Sequence, residues 1–225
     1  MAADKVRVKF VPKDAAALTV TKDQVSFSVS VLDGTNYKAD ENVWAHFKIS
    51  GKGGTTVQFD DVACQFPFLN VVVQNGSEQT LKLRSKGSND EVVVAMDDDQ
   101  GNTINALKKD KMRESARASY AQFAQARAAN PAEATTQLMT AFESVLNKLP
   151  FLTDDVTILP GRKAKFYTCF EYVPGAADDQ EINEKFFKSR KEITIGFYDV
   201  PVQRDAAGNV QKKTSYQFTF KVAKQ

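Results

Sequence analysis

The sequence predicts a mainly β protein, an antiparallel β-sandwich of jelly-roll-like type with about ten to twelve strands and one inserted α-helical hairpin. Three observations carry that expectation. Short segments that alternate apolar and polar residues, each bounded by turn residues, occupy the chain before about residue 100 and after about residue 155. Between them lies an alanine-rich block whose apolar residues recur at helical spacing. Helices do not alternate with strands, as they would in a βαβ fold. The chain, 1–225, is read as a single β-sandwich domain with the hairpin inserted at about 105–149. Two small β domains joined by the helices is the alternative.

The elements follow in order. In Lys5-Val-Arg-Val-Lys-Phe, Val6, Val8 and Phe10 share one face and Lys5, Arg7 and Lys9 the other, the mark of a strand with one buried and one wet face. Val25, Phe27, Val29 and Val31 repeat that pattern. Val43, Ala45, Phe47 and Ile49 share a face, which puts Trp44, His46 and Lys48 on the opposite one. Ser50 to Gly54 is a flexible turn. Strand material follows from Thr55 to Phe59 and from Val62 to Val73, with a break or bulge expected at Pro67, which has no N–H for a ladder. Asn75-Gly76 is the strongest hairpin signal in the chain. Leu81 to Arg84 and Glu91 to Met96 complete the first strand set.

From Asn105 the period changes. Met112, Ala116, Tyr120 and Phe123 fall four, four and three apart, one stripe of a helix. Asn130 as cap, Pro131 at the first helical position and Glu133 in the first turn start a second helix, the cap contributing about 1 kcal/mol. Its stripe is Leu138, Phe142, Val145 and Leu149, ending before Pro150. Almost no linker separates the two helices, so they fold back on each other or kink at Asn130. Strands resume at Val156, with a turn at Pro160-Gly161. Ala164 to Val173 is a strand, Pro174-Gly175 opens an acidic loop, and Ile182 to Phe187 fits helix or strand. Ile193, Ile195 and Phe197 alternate. Asp205 to Asn209 is a hairpin loop, and Tyr216, Phe218, Phe220 and Val222 form the last inward face.

Composition excludes more than it assigns. Thirty basic against 28 acidic residues leave a formal charge of +2, no general pull toward nucleic acid or anionic lipid. No apolar stretch approaches the roughly 20 residues of a membrane helix. The opening residues lack the apolar segment of a secretory signal. The expected location is therefore cytoplasm or virion, or periplasmic or secreted if a leader has been removed. Cys64 and Cys169 sit in strand-like segments and read as two small buried thiols. A disulfide between them is the alternative, and it would imply an oxidising compartment.

Asp97, Asp98 and Asp99, with Gly101 and Asn102 behind them, are the most metal-like cluster, since Ca²⁺ takes several converging carboxylate and carbonyl oxygens. The spacing fails an EF-hand: Gly101 comes too early and Lys108 stands where a Glu is required. A solvated turn is the plainer reading, and no cofactor is expected. His46 is the single histidine, which excludes a multi-histidine zinc site. With Trp44 it forms a candidate binding surface for a sugar or a partner. Glu171 and Glu192 are the acids embedded in late strands, and Tyr172 and Tyr198 are read as facing away from them, so a glycosidase pair finds no sugar-stacking aromatic. There is no phosphate-binding loop, dinucleotide fingerprint or nucleophile elbow.

These readings order three functions. The leading expectation is a non-enzymatic structural or assembly protein, a capsid-, shell- or surface-type subunit that self-associates through its loops and hairpin. Met112, Arg113, Arg117, Tyr120 and Phe123 are the candidate contacts to a second copy or another protein. A secreted or periplasmic ligand- or carbohydrate-binding module comes second, and a jelly-roll enzyme third.

Overall fold

Alternating valines, isoleucines and phenylalanines pair into two facing antiparallel sheets. A computed structural model describes residues 8–13, 18–32, 44–62, 68–83, 92–151, 156–170 and 189–224. In chain order the elements are β1 (Val8–Pro12), β2 (Thr19–Lys22), β3 (Val25–Leu32), β4 (Trp44–Ser50), β5 (Thr56–Val62), β6 (Phe68–Asn75), β7 (Leu81–Leu83), β8 (Val93–Asp98), β9 (Thr103–Asn105), α1 (Lys109–Arg127), α2 (Pro131–Leu146), β10 (Val156–Ile158), β11 (Lys163–Cys169), β12 (Glu192–Arg204) and β13 (Val210–Lys224). The first sheet has the order β1-β13-β12-β8-β9 and the second β11-β6-β3-β2, with two-stranded ladders β10-β7 and β4-β5. The first and last strands are neighbours, so both ends of the described chain lie in one sheet. The sandwich and its helical insert are as the sequence predicts; the strand orders do not establish the jelly-roll subtype.

The inward residues of the two sheets form one core. Val25, Phe27, Val29 and Val31 of β3 meet Ile193, Ile195 and Phe197 of β12 and Tyr216, Phe218 and Phe220 of β13. The ring of Phe27 lies 5.0 Å from that of Phe197 and 4.4 Å from that of Tyr216. Each such side chain contributes about 1.5–3 kcal/mol by leaving water. The sheets are also stitched at one end. Lys22 Nζ donates to the Ser215 carbonyl at 2.7 Å, and the Tyr216 hydroxyl donates to the Lys22 carbonyl at 2.9 Å.

Three local readings change. β2 was not visible in the sequence, because Val20 is its one apolar residue. It pairs with β3 across Asp23 and Gln24, whose φ values of 50° and 62° make a two-residue turn of the mirror-image kind that matches strand twist. Asn75-Gly76 is not a hairpin turn, since β6 pairs with β3 and β11, and β7 with β10. Asn75 is instead a buried junction. Its side-chain amide donates to the carbonyls of Gln79 at 2.7 Å and Ile158 at 2.9 Å, and its oxygen accepts from the Ser77 hydroxyl at 2.7 Å. Gly76 is required by close approach: a Cβ there would stand 2.8 Å from the Gln24 carbonyl oxygen. Lastly, the helical region begins at Lys109 rather than 105, because Thr103–Asn105 pairs with β8 as a strand.

Other turn chemistry is as expected. Pro160 and Gly161, with φ of 69° at the glycine, form a turn closed by the Arg162 N–H on the Leu159 carbonyl at 3.1 Å. Asp205 accepts from the Asn209 N–H and closes the β12–β13 hairpin. β5 ends before Pro67 and β6 begins after it. The segment Ile182 to Phe187 and the acidic loop after Pro174 lie outside the described residues.

Candidate interaction surfaces

The helices lie against the sandwich. Asn130 caps α2 by accepting from the Glu133 N–H at 3.4 Å, with Pro131 at the first helical position. Ala134, Leu138, Phe142 and Leu146 of α2 pack with Met112, Tyr120, Ala124 and Ala128 along the length of the hairpin, and with Ile49 of β4 and Tyr167 and Cys169 of β11. β11 therefore belongs to two cores, with Phe166, and Phe170 just past its end, in the sandwich core and Tyr167 and Cys169 in the helical one. The chain entering and leaving the hairpin also covers the outer edge of β11. The Leu107 N–H donates to the Cys169 carbonyl, and the Tyr167 N–H to the Pro150 carbonyl, both at 2.8 Å. The tip is tied to the β4–β5 turn, where the Ala129 N–H donates to the Ser50 carbonyl and Lys52 Nζ to the Gln125 carbonyl, both at 3.0 Å.

This packing corrects part of the expected self-contact. Met112 and Tyr120 are 3% and 1% exposed and lie inside the chain's own core, where no second copy reaches them. Arg113 is half-buried, its Nε donating to Glu143 Oε1 at 2.9 Å and Oε2 at 3.1 Å and its Nη1 to Asp110 at 2.8 Å. Those carboxylates, Glu143 first, raise the Arg113 pKa against the opposing effect of burial. Arg117 is exposed, and Phe123 is partly exposed with the Arg127 guanidinium 5.3 Å over its ring.

The three aspartates of the β8–β9 turn have separate partners. Asp97 accepts from the Thr103 hydroxyl through one oxygen and from the Tyr198 hydroxyl through the other, both at 2.6 Å. Asp98 accepts from the N–H groups of Gln100 at 2.9 Å and Asn102 at 2.8 Å, from the Asn102 amide at 2.8 Å, and from Arg190 Nε. Asp99 accepts from the Lys191 N–H at 3.1 Å. Among the described residues, no three His, Cys, Asp or Glu side chains group as metal ligands. What the turn does is join the β8–β9 end of the first sheet to the start of β12.

Tyr198 belongs to the same outer face. Glu192, Thr194, Gly196 and Tyr198 alternate with the buried Ile193, Ile195 and Phe197. This corrects the expectation that Tyr198 faces away from Glu192: six residues apart, the two share a face. Gln217 Nε2 donates to the Tyr198 hydroxyl at 3.3 Å. Burial, then the hydrogen bond to Asp97, raises the phenol pKa. Glu192 pairs with Lys13 at 2.8 Å.

The chain matches no family model, no curated protein and no solved structure. The fold and its surfaces therefore carry the functional reading alone.

The remaining sequence candidates are placed as follows. Trp44 and His46 lie on β4, paired with Val62 and Asp60 of β5; their side chains, like Cys64 and Glu171, lie outside the described residues. Cys169 is a free thiol, fully buried against the hairpin. Sequence reasoning missed Tyr198 and Gly196 as a unit. The signal was the glycine inside a strong strand, which marks a close approach over the backbone.

Proposed function

We propose that this chain is a non-enzymatic structural subunit that self-associates through its helical hairpin and loops. What supports the reading is the way the hairpin is fixed. Both of its ends bond to β11 and its tip bonds to the β4–β5 turn, so its outward side is presented at a defined position on the sandwich. The exposed residues of the two helices are mixed in kind, with Lys111, Glu114, Arg117, Arg127 and Glu133 among the uncharged Ala121, Gln122, Gln125, Thr136 and Thr140, the polar and partly charged make-up of an interface rim. Light scattering after size exclusion, followed by negative-stain microscopy, tests it. A closed shell, a tube or a defined oligomer is expected, weakened in an Arg117→Glu variant. A monomer near 24.9 kDa at high concentration overturns it.

A further inference from the structure

We propose that the outer face of the first sheet binds neutral polysaccharide on a platform formed by Tyr198. The ring folds back along its own strand over Gly196. A Cβ at Gly196 would lie 2.1 Å from Tyr198 Cζ and 2.4 Å from its Oη, so only glycine lets the ring lie against the backbone. The ring is fixed as well as flat. Its hydroxyl donates to Asp97 and accepts from Gln217, which leaves little side-chain freedom to lose on binding. Across the ladder its partner is Val93, 40% exposed, which extends the apolar strip.

Neutral sugar matches this chemistry. One side of a pyranose ring presents C–H groups of slight positive charge, which suit the negative face of an aromatic ring. The hydroxyls around its rim need donors and acceptors nearby. Asp97 accepts from two groups, while a carboxylate has about four lone-pair sites. Gln217 and Thr103 are exposed beside it. Asp97 is the one carboxylate among these platform residues, which disfavours acidic polysaccharides. α2 and β11 hold the helices on the other sheet, so the hairpin does not cover this face. The proposal stands apart from self-association, since a monomer presents the same platform.

Native affinity electrophoresis tests it, with gels containing mixed-linkage β-glucan, arabinoxylan, galactomannan or glycogen. Retardation in at least one gel is expected. It should weaken at least tenfold in Tyr198→Ala and less in Tyr198→Phe, which keeps the ring and loses the hydroxyl, with circular dichroism confirming the fold. If Tyr198→Ala does not fold, the exposed Gln217→Ala takes its place, with weaker retardation expected. No retardation in any gel overturns the proposal, and so does unchanged retardation in a folded Tyr198→Ala or, in its absence, Gln217→Ala.

Discussion

Asp98 is a charged group almost out of water: its side chain is 2% exposed and that of its partner Arg190 10%. Burial alone pushes such a carboxyl up. The Asn102 amide and N–H, Arg190 and the Gln100 N–H outweigh burial and bring it down to about 2 from an ordinary 3.8. A lowered pKa stabilises the fold above the unfolded value and loses that contribution as pH falls through the folded one. The shift is worth about 2 kcal/mol, so urea resistance should drop between about pH 4 and pH 2. In Asp98→Asn that acid-dependent drop should flatten. The variant should also start less stable at pH 7, because an asparagine gives the largely buried Arg190 no opposite charge at this position. An unchanged slope would refute the assignment. The sequence showed three adjacent acids and nothing of their partners, since Arg190 and Tyr198 stand 92 and 101 residues away from the acids they bond.

At the scale of elements, the hairpin was the most legible part. A helical period, an Asn-Pro start and a capping side chain are local signals, written within a few residues of what they determine. What eluded the sequence was non-local. Nothing in Thr19-Val-Thr-Lys announces β2 until β3 is there to pair with it. Asn75-Gly76 has the chemistry of a turn but supplies a buried junction for the Gln79 and Ile158 carbonyls. The sequence also could not show how the two helices lock. Arg113 reaches across from α1 to Glu143 of α2, its Nε shared between the two carboxylate oxygens, with side chains 31% and 33% exposed. Partial exposure limits its worth, and a double-mutant cycle of Arg113→Ala and Glu143→Ala should give a coupling of about 0.5–1 kcal/mol. One molar salt should reduce it, because the Debye length there is about 3 Å. A coupling near zero would leave the lock to the Tyr120–Phe142 edge-to-face contact at 5.9 Å.

At the scale of the whole molecule, the question is whether the hairpin can leave the sandwich. β11 says that it cannot leave freely. Residues of one strand fill two cores in alternation, and both ends of the hairpin bond to that strand's edge. Undocking would expose Tyr167 and Cys169 and free the N–H and C=O groups of an edge strand. Cys169, 0% exposed, reports this directly. In a Cys64→Ser background, a thiol reagent should label it on the order of a thousandfold more slowly in the native protein than in the denatured one. Phe142→Ala empties part of the helical core, Phe197→Ala part of the sandwich core, and each should cost about 3–5 kcal/mol. If the two cores form one cooperative unit, both substitutions speed labelling, and by similar factors for similar losses of stability. If the hairpin opens alone, only Phe142→Ala speeds it, while far-UV circular dichroism of the strands stays intact. The shared strand favours the first outcome, because Phe166 and Phe170 anchor β11 on one side as firmly as the helices cover it on the other.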